Sequence, residues 1–167
     1  MSRRLSKRQH AVKSPGPAGR TPAGDALSVL AIQIFQLNGD LIAAGDALAK
    51  PTGQSTARWQ VLASIEEAPA SVAQIAHTLR LARQSVQRVA DLLVADGIAT
   101  YEPNPDHRRA KLLRLTPRGR STLTKIQTAQ RTWADTLGGE IGEPELRQAS
   151  SVLTRLLTSR LLSIDRP

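Results

Sequence analysis

Five polar side chains that can form hydrogen bonds to base edges and phosphates lie within six consecutive positions of this chain. They are Arg83, Gln84, Ser85, Gln87 and Arg88. Arginine can donate two parallel hydrogen bonds to guanine, a glutamine amide can pair with adenine, and a serine hydroxyl can contact a phosphate or a base. Because the next acidic residue is Asp91, the set predicts a surface that binds double-stranded DNA, with a solvated helix face as the alternative.

A second basic cluster follows, with Arg108 and Arg109 at or just past the tip of an expected hairpin and Lys111 and Arg114 on its returning strand. Arginines on a narrow loop suit the negative potential of a minor groove. Asp106 precedes Arg108 by two residues, so we expect its carboxylate to pair with that guanidinium and orient the tip of the hairpin, which is its wing-orienting role. The alternative is an exposed hairpin with a surface ion pair worth about 0–1 kcal/mol.

Two short helices are expected to position the first cluster. Apolar residues recur at helical spacing over 72–79 and 86–93, and the polar cluster falls on the opposite face of the second helix. We expect Ser71 both to cap the first helix and to contact DNA, and Gly97 to end the second helix in a left-handed conformation.

A β-hairpin is expected to follow these helices, with strands at 98–102 and 111–115 around a turn at 103–106. A helix-turn-helix followed by a hairpin is a winged helix. In that arrangement one helix enters a major groove while the hairpin reaches an adjacent minor groove or the phosphate backbone.

An apolar helix is expected before this unit. Apolar residues alternate spacings of three and four from Leu27 to Leu48, a heptad pattern too apolar to stand alone in water. It could pack on its own domain or on a second copy of the chain. The next helix is expected to begin near Ser55 or Thr56 and to end before Pro69.

Two helices are expected after the hairpin. Thr116 and Pro117 form a helix start, and we expect Gly138 and Gly139 to break that helix. The last helix begins near Glu143 and is expected to bury an apolar stripe, formed by Leu146, Leu153, Leu156, Leu157, Leu161 and Ile164. The predicted class is therefore mainly α (α+β), in the order α-α-α-α-β-β-α-α.

Charge and composition favour a polyanionic partner and exclude thiol chemistry. The 167 residues, about one domain, carry a formal net charge of +9 and no cysteine. Residues 1–20 hold six basic side chains and no acidic one, and residues 80–120 hold nine basic against four acidic. Disulfides, cysteine-ligated zinc and a thiol redox switch are excluded.

The sequence favours a cytoplasmic protein without membrane contact. We read no apolar run near the roughly 18–20 residues of a membrane span and no secretory signal. Residues 1–24 are expected to form a flexible basic arm. The three histidines are far apart and no catalytic or metal-binding motif surrounds them, so we expect neither an enzyme nor a cofactor or metal site.

The hairpin region resembles the MarR family of winged helix-turn-helix transcriptional regulators. The run from Asp106 to Gly119 is similar to that family's wing signature, D-x-R followed by L-T-x-x-G. Residues 71–79 and 83–97 resemble its third and fourth helices, residues 58–62 its second, and the likeness covers about 25–164. Arg80 and Ala82 stand where the family usually carries a glycine and a Ser or Thr cap, departures that would each cost about 1 kcal/mol.

The resemblance implies a homodimer and assigns parts of the chain to it. Residues 25–54 would be an N-terminal dimerisation helix, 55–116 the DNA-binding lobe and 117–167 the C-terminal dimerisation helices. A two-fold dimer implies a pseudo-palindromic operator with half-sites roughly 34–36 Å apart.

The resemblance also implies a repressor that a small phenolic or anionic effector releases from DNA. By position, the effector pocket could be lined by Phe35, Asn38, Arg58 and Trp59, although Phe35 and Trp59 are also explained as plain core. Two other functions stay open on the sequence: a winged-helix adaptor that binds protein, and an architectural DNA-binding protein without a ligand.

Overall fold

The computed structural model describes Gly19 and residues 21–106 and 109–159. Two compact units divide the chain, residues 1–40 and 41–167. Within the described residues the helices and strands are α1 (Pro22–Ala49), a 3-10 turn (Lys50–Thr52), α2 (Thr56–Ser64), β1 (Ala70–Ser71), α3 (Val72–Leu79), α4 (Arg83–Ala95), β2 (Ala99–Glu102), β3 (Leu112–Leu115), α5 (Pro117–Ile141) and α6 (Glu143–Thr158). The mainly α class is confirmed.

The three strands form one antiparallel sheet in the order β1-β3-β2. Ala99 pairs with Leu115 and Glu102 with Leu112 in the hairpin, as the sequence predicted. β1 was not predicted, because a strand of two residues is too short to show an alternating pattern. It pairs through Ala70 and Leu113 and so joins the start of α3 to the hairpin.

A single buried cluster supports the lobe formed by α2, α3, α4, the sheet and the start of α5. Its buried side chains include Val61, Leu62, Ile65, Val72, Ile75, Val86, Ala90, Leu93, Ile98, Leu113, Leu115 and Leu123. Because α4 contributes one apolar stripe to this cluster, its opposite face is left exposed on a rigid support.

Local helix signals in the sequence act where they were expected. Ser55 caps α2, and Thr116 caps α5 by accepting a hydrogen bond from the Gly119 N–H at 3.0 Å. Ser71 forms a capping box with Gln74, whose side-chain oxygen accepts from the Ser71 N–H at 2.8 Å. Gly97, just past the end of α4, has φ = 68°.

The turn between α3 and α4 carries the strain that the sequence predicted. Arg80 has φ = 54°, a left-handed conformation that costs a non-glycine residue about 1 kcal/mol. Two hydrogen bonds hold it there, from Arg80 N–H to the His77 carbonyl at 3.2 Å and from Leu81 N–H to the Ala76 carbonyl at 3.0 Å. Ala82, the residue before α4, has no side-chain oxygen with which to cap that helix.

The ends of two helices differ from expectation. α5 continues through Gly138 and Gly139 and ends at Ile141, followed by the C-cap residue Gly142, where φ is 101°. The prediction of a break was wrong because a glycine inside a helix costs about 1 kcal/mol, which neighbouring turns outweigh. α1 begins at Pro22, inside the expected arm, since proline fits a first helical turn and Thr21 Oγ1 accepts from the Gly24 N–H at 3.1 Å.

The apolar face of α6 is not buried within the chain, contrary to expectation. Leu146, Leu153 and Leu157 are 41%, 38% and 58% exposed, and every residue of the helix is exposed or half-buried. An apolar helix face indicates burial, but the sequence pattern does not identify the surface that contacts this face. Residues 1–18, 20, 107–108 and 160–167, which include the expected arm and Leu161 and Ile164 of the stripe, lie outside the described residues.

One helix also corrects the expectation about membrane spans. The segment Pro22–Thr52 is long and apolar enough to cross a membrane by length and composition, and an 18-residue stretch of it has a mean hydropathy of 1.4. The segment contains no uninterrupted apolar run, because scattered serine, glutamine and asparagine residues interrupt it. Its averaged hydropathy is nevertheless high, since the apolar residues between them are numerous. The same composition is typical of a helix that packs in a protein interface.

Candidate nucleic-acid interface

The polar cluster lies on the exposed face of α4. Val86, Ala90 and Leu93 point into the core and are at most 1% exposed. The five residues of the first cluster, Arg83, Gln84, Ser85, Gln87 and Arg88, are all exposed. The helix therefore presents two guanidinium groups, two amides and a hydroxyl to solvent within two turns.

A groove of about 290 Å³ brings this face together with the hairpin and the start of α3. It is lined by five of the nine residues predicted to bind DNA, Ser71, Arg83, Gln87, Arg109 and Lys111, together with Tyr101. Three of the five are basic, so the groove suits an anionic partner. Ser71 is 7% exposed, and its hydroxyl already donates to Gln74 at 2.8 Å.

The tip of the hairpin is described in part. Asn104 orders the turn, because its side-chain oxygen accepts a hydrogen bond from the Asp106 N–H at 2.9 Å. Arg108 lies outside the described residues, so its expected pairing with Asp106 stays a prediction. Within the described residues, His, Asp and Glu side chains form no group of three or more that could hold a metal ion.

One basic residue of the hairpin is neutralised. Arg114 donates from Nε to Glu102 Oε2 at 2.5 Å and from Nη2 to Oε1 at 3.0 Å. These hydrogen bonds lower the pKa of Glu102 and raise that of Arg114. The pair braces the two strands of the hairpin, and its paired charge leaves Arg109 and Lys111 as the cations of this region that line the groove.

Three side chains form a closed triangle of hydrogen bonds beside the groove, and the sequence did not predict this set. Gln87 Nε2 donates to Asp91 Oδ1 at 2.9 Å and to the Tyr101 hydroxyl at 2.8 Å, and that hydroxyl donates to Asp91 Oδ1 at 2.8 Å. The spacing of four between Gln87 and Asp91 was a signal for the first pair. Tyr101 was not foreseeable, because its place depends on how the hairpin packs.

Tyr101 is anchored at both ends of its side chain. Its ring packs against the buried cluster, and Lys111 Nζ lies 6.0 Å from the ring centroid. Burial raises the pKa of Tyr101 to about 12, and the hydrogen bond and negative charge of Asp91 act in the same direction. The phenol therefore keeps its hydrogen at neutral pH and donates it to Asp91.

The end of α4 is fixed by a second set of contacts. Arg58 forms an ion pair with Asp96, and Arg118 Nη1 donates to the Asp96 backbone carbonyl at 3.0 Å. The Nε atom of Arg58 is buried without a hydrogen-bond partner among the described residues. Arg58, expected to line an effector pocket, thus already holds α2 against the end of α4.

The other candidate effector residues differ in exposure and belong to different units of the chain. Trp59 is half-buried against the core, as the core interpretation predicted for it. Phe35 is 77% exposed, so the plain-core interpretation was wrong for that residue. Phe35 and Asn38, which is also exposed, belong to the unit of residues 1–40, whereas Arg58 and Trp59 belong to the unit of residues 41–167.

Sequence comparison relates the chain to the MarR family and to a mycobacterial protein. A family model described as MarR family matches residues 52–110. The chain is 34% identical over 143 residues to Rv2011c, an uncharacterized protein of Mycobacterium tuberculosis, and the match covers 86% of this chain and 99% of that protein.

Two solved structures share the fold. A mutant MarR from E. coli, complexed with operator DNA, superposes with a TM-score of 0.71 at 21% identity, over 80% of this chain and 96% of that one. CouR from Rhodococcus jostii RHA1, bound to p-coumaroyl-CoA, gives a TM-score of 0.69 at 19% identity, over 77% and 92%. At identities below 25%, these two likenesses concern the fold alone.

Proposed function

The chain belongs to the MarR family of DNA-binding transcription regulators, and on that premise we propose that it is a homodimeric repressor of a pseudo-palindromic operator, released by a small molecule. The groove between α4 and the hairpin carries the proposal, since it gathers Arg83, Gln87, Arg109 and Lys111 on one surface. Because the family consists of transcription regulators, we also propose that the protein is cytoplasmic.

In this proposal α4 enters the major groove of DNA. Arg83, Gln84, Ser85 and Arg88 contact base edges and phosphates, while the hairpin lies over the adjacent backbone or minor groove. Arg109 and Lys111 neutralise phosphates there, and Arg108 is proposed to contact DNA as well. Ser71 acts at the floor of the same surface, where its capping box holds the start of α3.

Exposed apolar side chains support a dimer. They are Leu27, Val29, Ile32, Phe35, Leu37, Leu41 and Ile42 on α1, Leu137 and Ile141 on α5, and Leu146, Val152, Leu153 and Leu157 on α6. Apolar surface left in water costs about 25 cal/mol per Å², so a second copy that covers these faces would be stabilising. Two copies would then present α4 to half-sites roughly 34–36 Å apart.

The effector is proposed to be a small phenolic or anionic molecule. CouR was solved with p-coumaroyl-CoA, and Phe35, Asn38, Arg58 and Trp59 remain the effector-binding residues of this proposal. Because Arg58 is already paired with Asp96 at the end of α4, an anion that bound Arg58 would compete with that ion pair. Such competition would loosen a contact that fixes the DNA-reading helix.

The DNA-binding proposal is tested by a mobility-shift series with the protein's own upstream intergenic duplex and a scrambled duplex of equal length. We expect the intergenic duplex to bind more tightly, and its affinity to fall steeply with salt because counterions leave each neutralised phosphate. Equal binding of the two duplexes at every salt concentration would contradict the proposal.

A further inference from the structure

Gln87 lies on the exposed face of α4, yet one end of its amide is already occupied. The carboxylate of Asp91 carries no hydrogen, so it can only accept, and the amide must turn its nitrogen toward it. The Tyr101 hydroxyl gives its one hydrogen to Asp91 and accepts from the same nitrogen. Donors and acceptors therefore match around the triangle in one orientation of the amide, which leaves Oε1 as its free end.

The partners of Gln87 are themselves held in place. Asp91 follows Gln87 by one helical turn on the same rigid helix, and Tyr101 lies on β2 with its ring packed against the core. Three contacts of 2.8–2.9 Å close the triangle. An exposed glutamine normally samples several rotamers, and this one is confined before DNA binds.

We propose that Asp91 and Tyr101 are positioning residues that make Gln87 a hydrogen-bond acceptor toward DNA, so that it selects a base with an exocyclic amine. In the major groove that amine belongs to adenine (N6) or cytosine (N4), whereas guanine and thymine present oxygen acceptors at the equivalent place. The inference rests on the proposed function and adds to it the chemistry that one residue reads.

The test measures base preference by fluorescence anisotropy on the specifically bound part of the upstream intergenic duplex, with every half-site position changed in turn to each of the four bases. For the wild-type protein we expect one position per half-site where adenine or cytosine is preferred over guanine or thymine by about 5–10-fold. Gln87→Ala should abolish the preference at that position and at no other.

Tyr101→Phe keeps the ring in the core and removes only the hydroxyl, and Asp91→Ala removes the carboxylate from an exposed site. Each is expected to reduce the preference at the Gln87 position below about twofold. Affinity for a scrambled duplex should stay unchanged in Tyr101→Phe and should rise modestly in Asp91→Ala, which removes a negative charge from the face that meets the phosphates. The double variant Gln87→Ala/Tyr101→Phe should match Gln87→Ala alone, because Tyr101 acts through Gln87. Gln84→Ala is the matched control, and its effect should fall on another base and be independent of Tyr101.

The outcomes separate this inference from the proposed function. Base preference at the Gln87 position that survives in Tyr101→Phe and Asp91→Ala, or a preference of Gln87 for guanine or thymine, would overturn the inference and leave a sequence-specific regulator. An adenine-or-cytosine preference that Gln87→Ala leaves unaltered at every half-site position would also overturn the inference and leave a sequence-specific regulator. A wild-type protein without preference at any position would overturn both.

Discussion

Replacing Arg83 and Arg88 together by alanine is expected to weaken binding to the specific duplex by about 100-fold or more, with the fold unchanged. A guanidinium that contacts a base or phosphate is worth about 1–3 kcal/mol, and two such losses on one helix face combine. Both side chains are exposed on α4 and neither belongs to the buried cluster. Fluorescence anisotropy gives the affinity, and circular dichroism with thermal unfolding checks the fold.

The matched control removes the same two charges from another helix. Lys125 and Arg131 are exposed cations on α5, and Lys125→Ala/Arg131→Ala lowers the net charge equally without touching α4 or the hairpin. We expect this control to change affinity no more than about threefold, through the long-range field alone. Equal losses of DNA affinity in the two double variants would show that net charge, and not contact by α4, determines the affinity. Specific DNA binding that survives the loss of Arg83 and Arg88 would contradict the assignment of DNA recognition to α4.

Gly119→Ala is expected to lower the free energy of unfolding by about 3 kcal/mol, the upper end of the usual cost of overpacking. A Cβ at this position would lie 2.1 Å from the backbone oxygen of Ile98. That oxygen cannot withdraw freely, because it accepts hydrogen bonds from Thr116 N–H at 3.2 Å and Thr116 Oγ1 at 3.0 Å. The added methyl group must therefore disrupt either the cap of α5 or the start of β2.

Gly139→Ala in the same helix is the control, with the opposite expected sign. Nothing lies within 4 Å of a Cβ at Gly139, so alanine should raise the free energy of unfolding by up to about 1 kcal/mol. Urea denaturation at one fixed protein concentration compares the variants, since dimer formation would make stability concentration-dependent. An unfolding free energy for Gly119→Ala equal to that of the wild type would refute the close approach.

The sequence predicted most of the fold because its signals are local. Ser71 and Gln74 meet across one helical turn, and Thr116 with Pro117 begins α5 without help from any distant residue. The strain at Arg80 was expected from the family resemblance, because Arg80 stands where that family usually carries a glycine, and a left-handed conformation costs a non-glycine residue about 1 kcal/mol. Where a prediction depended on several neighbouring turns, as with the break at Gly138 and Gly139, propensity alone was a poor guide.

The parts that could not be predicted depend on contacts between distant segments. Tyr101 joins Gln87 and Asp91 only because β2 packs beside α4, and nothing in its own surroundings along the chain indicates that role. Arg114 was counted among the cations of the hairpin, but its cross-strand pairing with Glu102 neutralises it. The wing motif ending in Gly119 was recognised as a pattern, and its physical reason, the carbonyl of Ile98, is visible only in three dimensions.

Hydroxyl-radical footprinting of the upstream duplex, combined with the number of protein copies bound, tests the central claim most directly. We predict two protected segments on one face of the duplex, with centres separated by about one helical turn, roughly 34–36 Å. We also predict two copies of the chain per duplex. A single protected segment bound by one copy, or uniform protection along the duplex, would contradict the account.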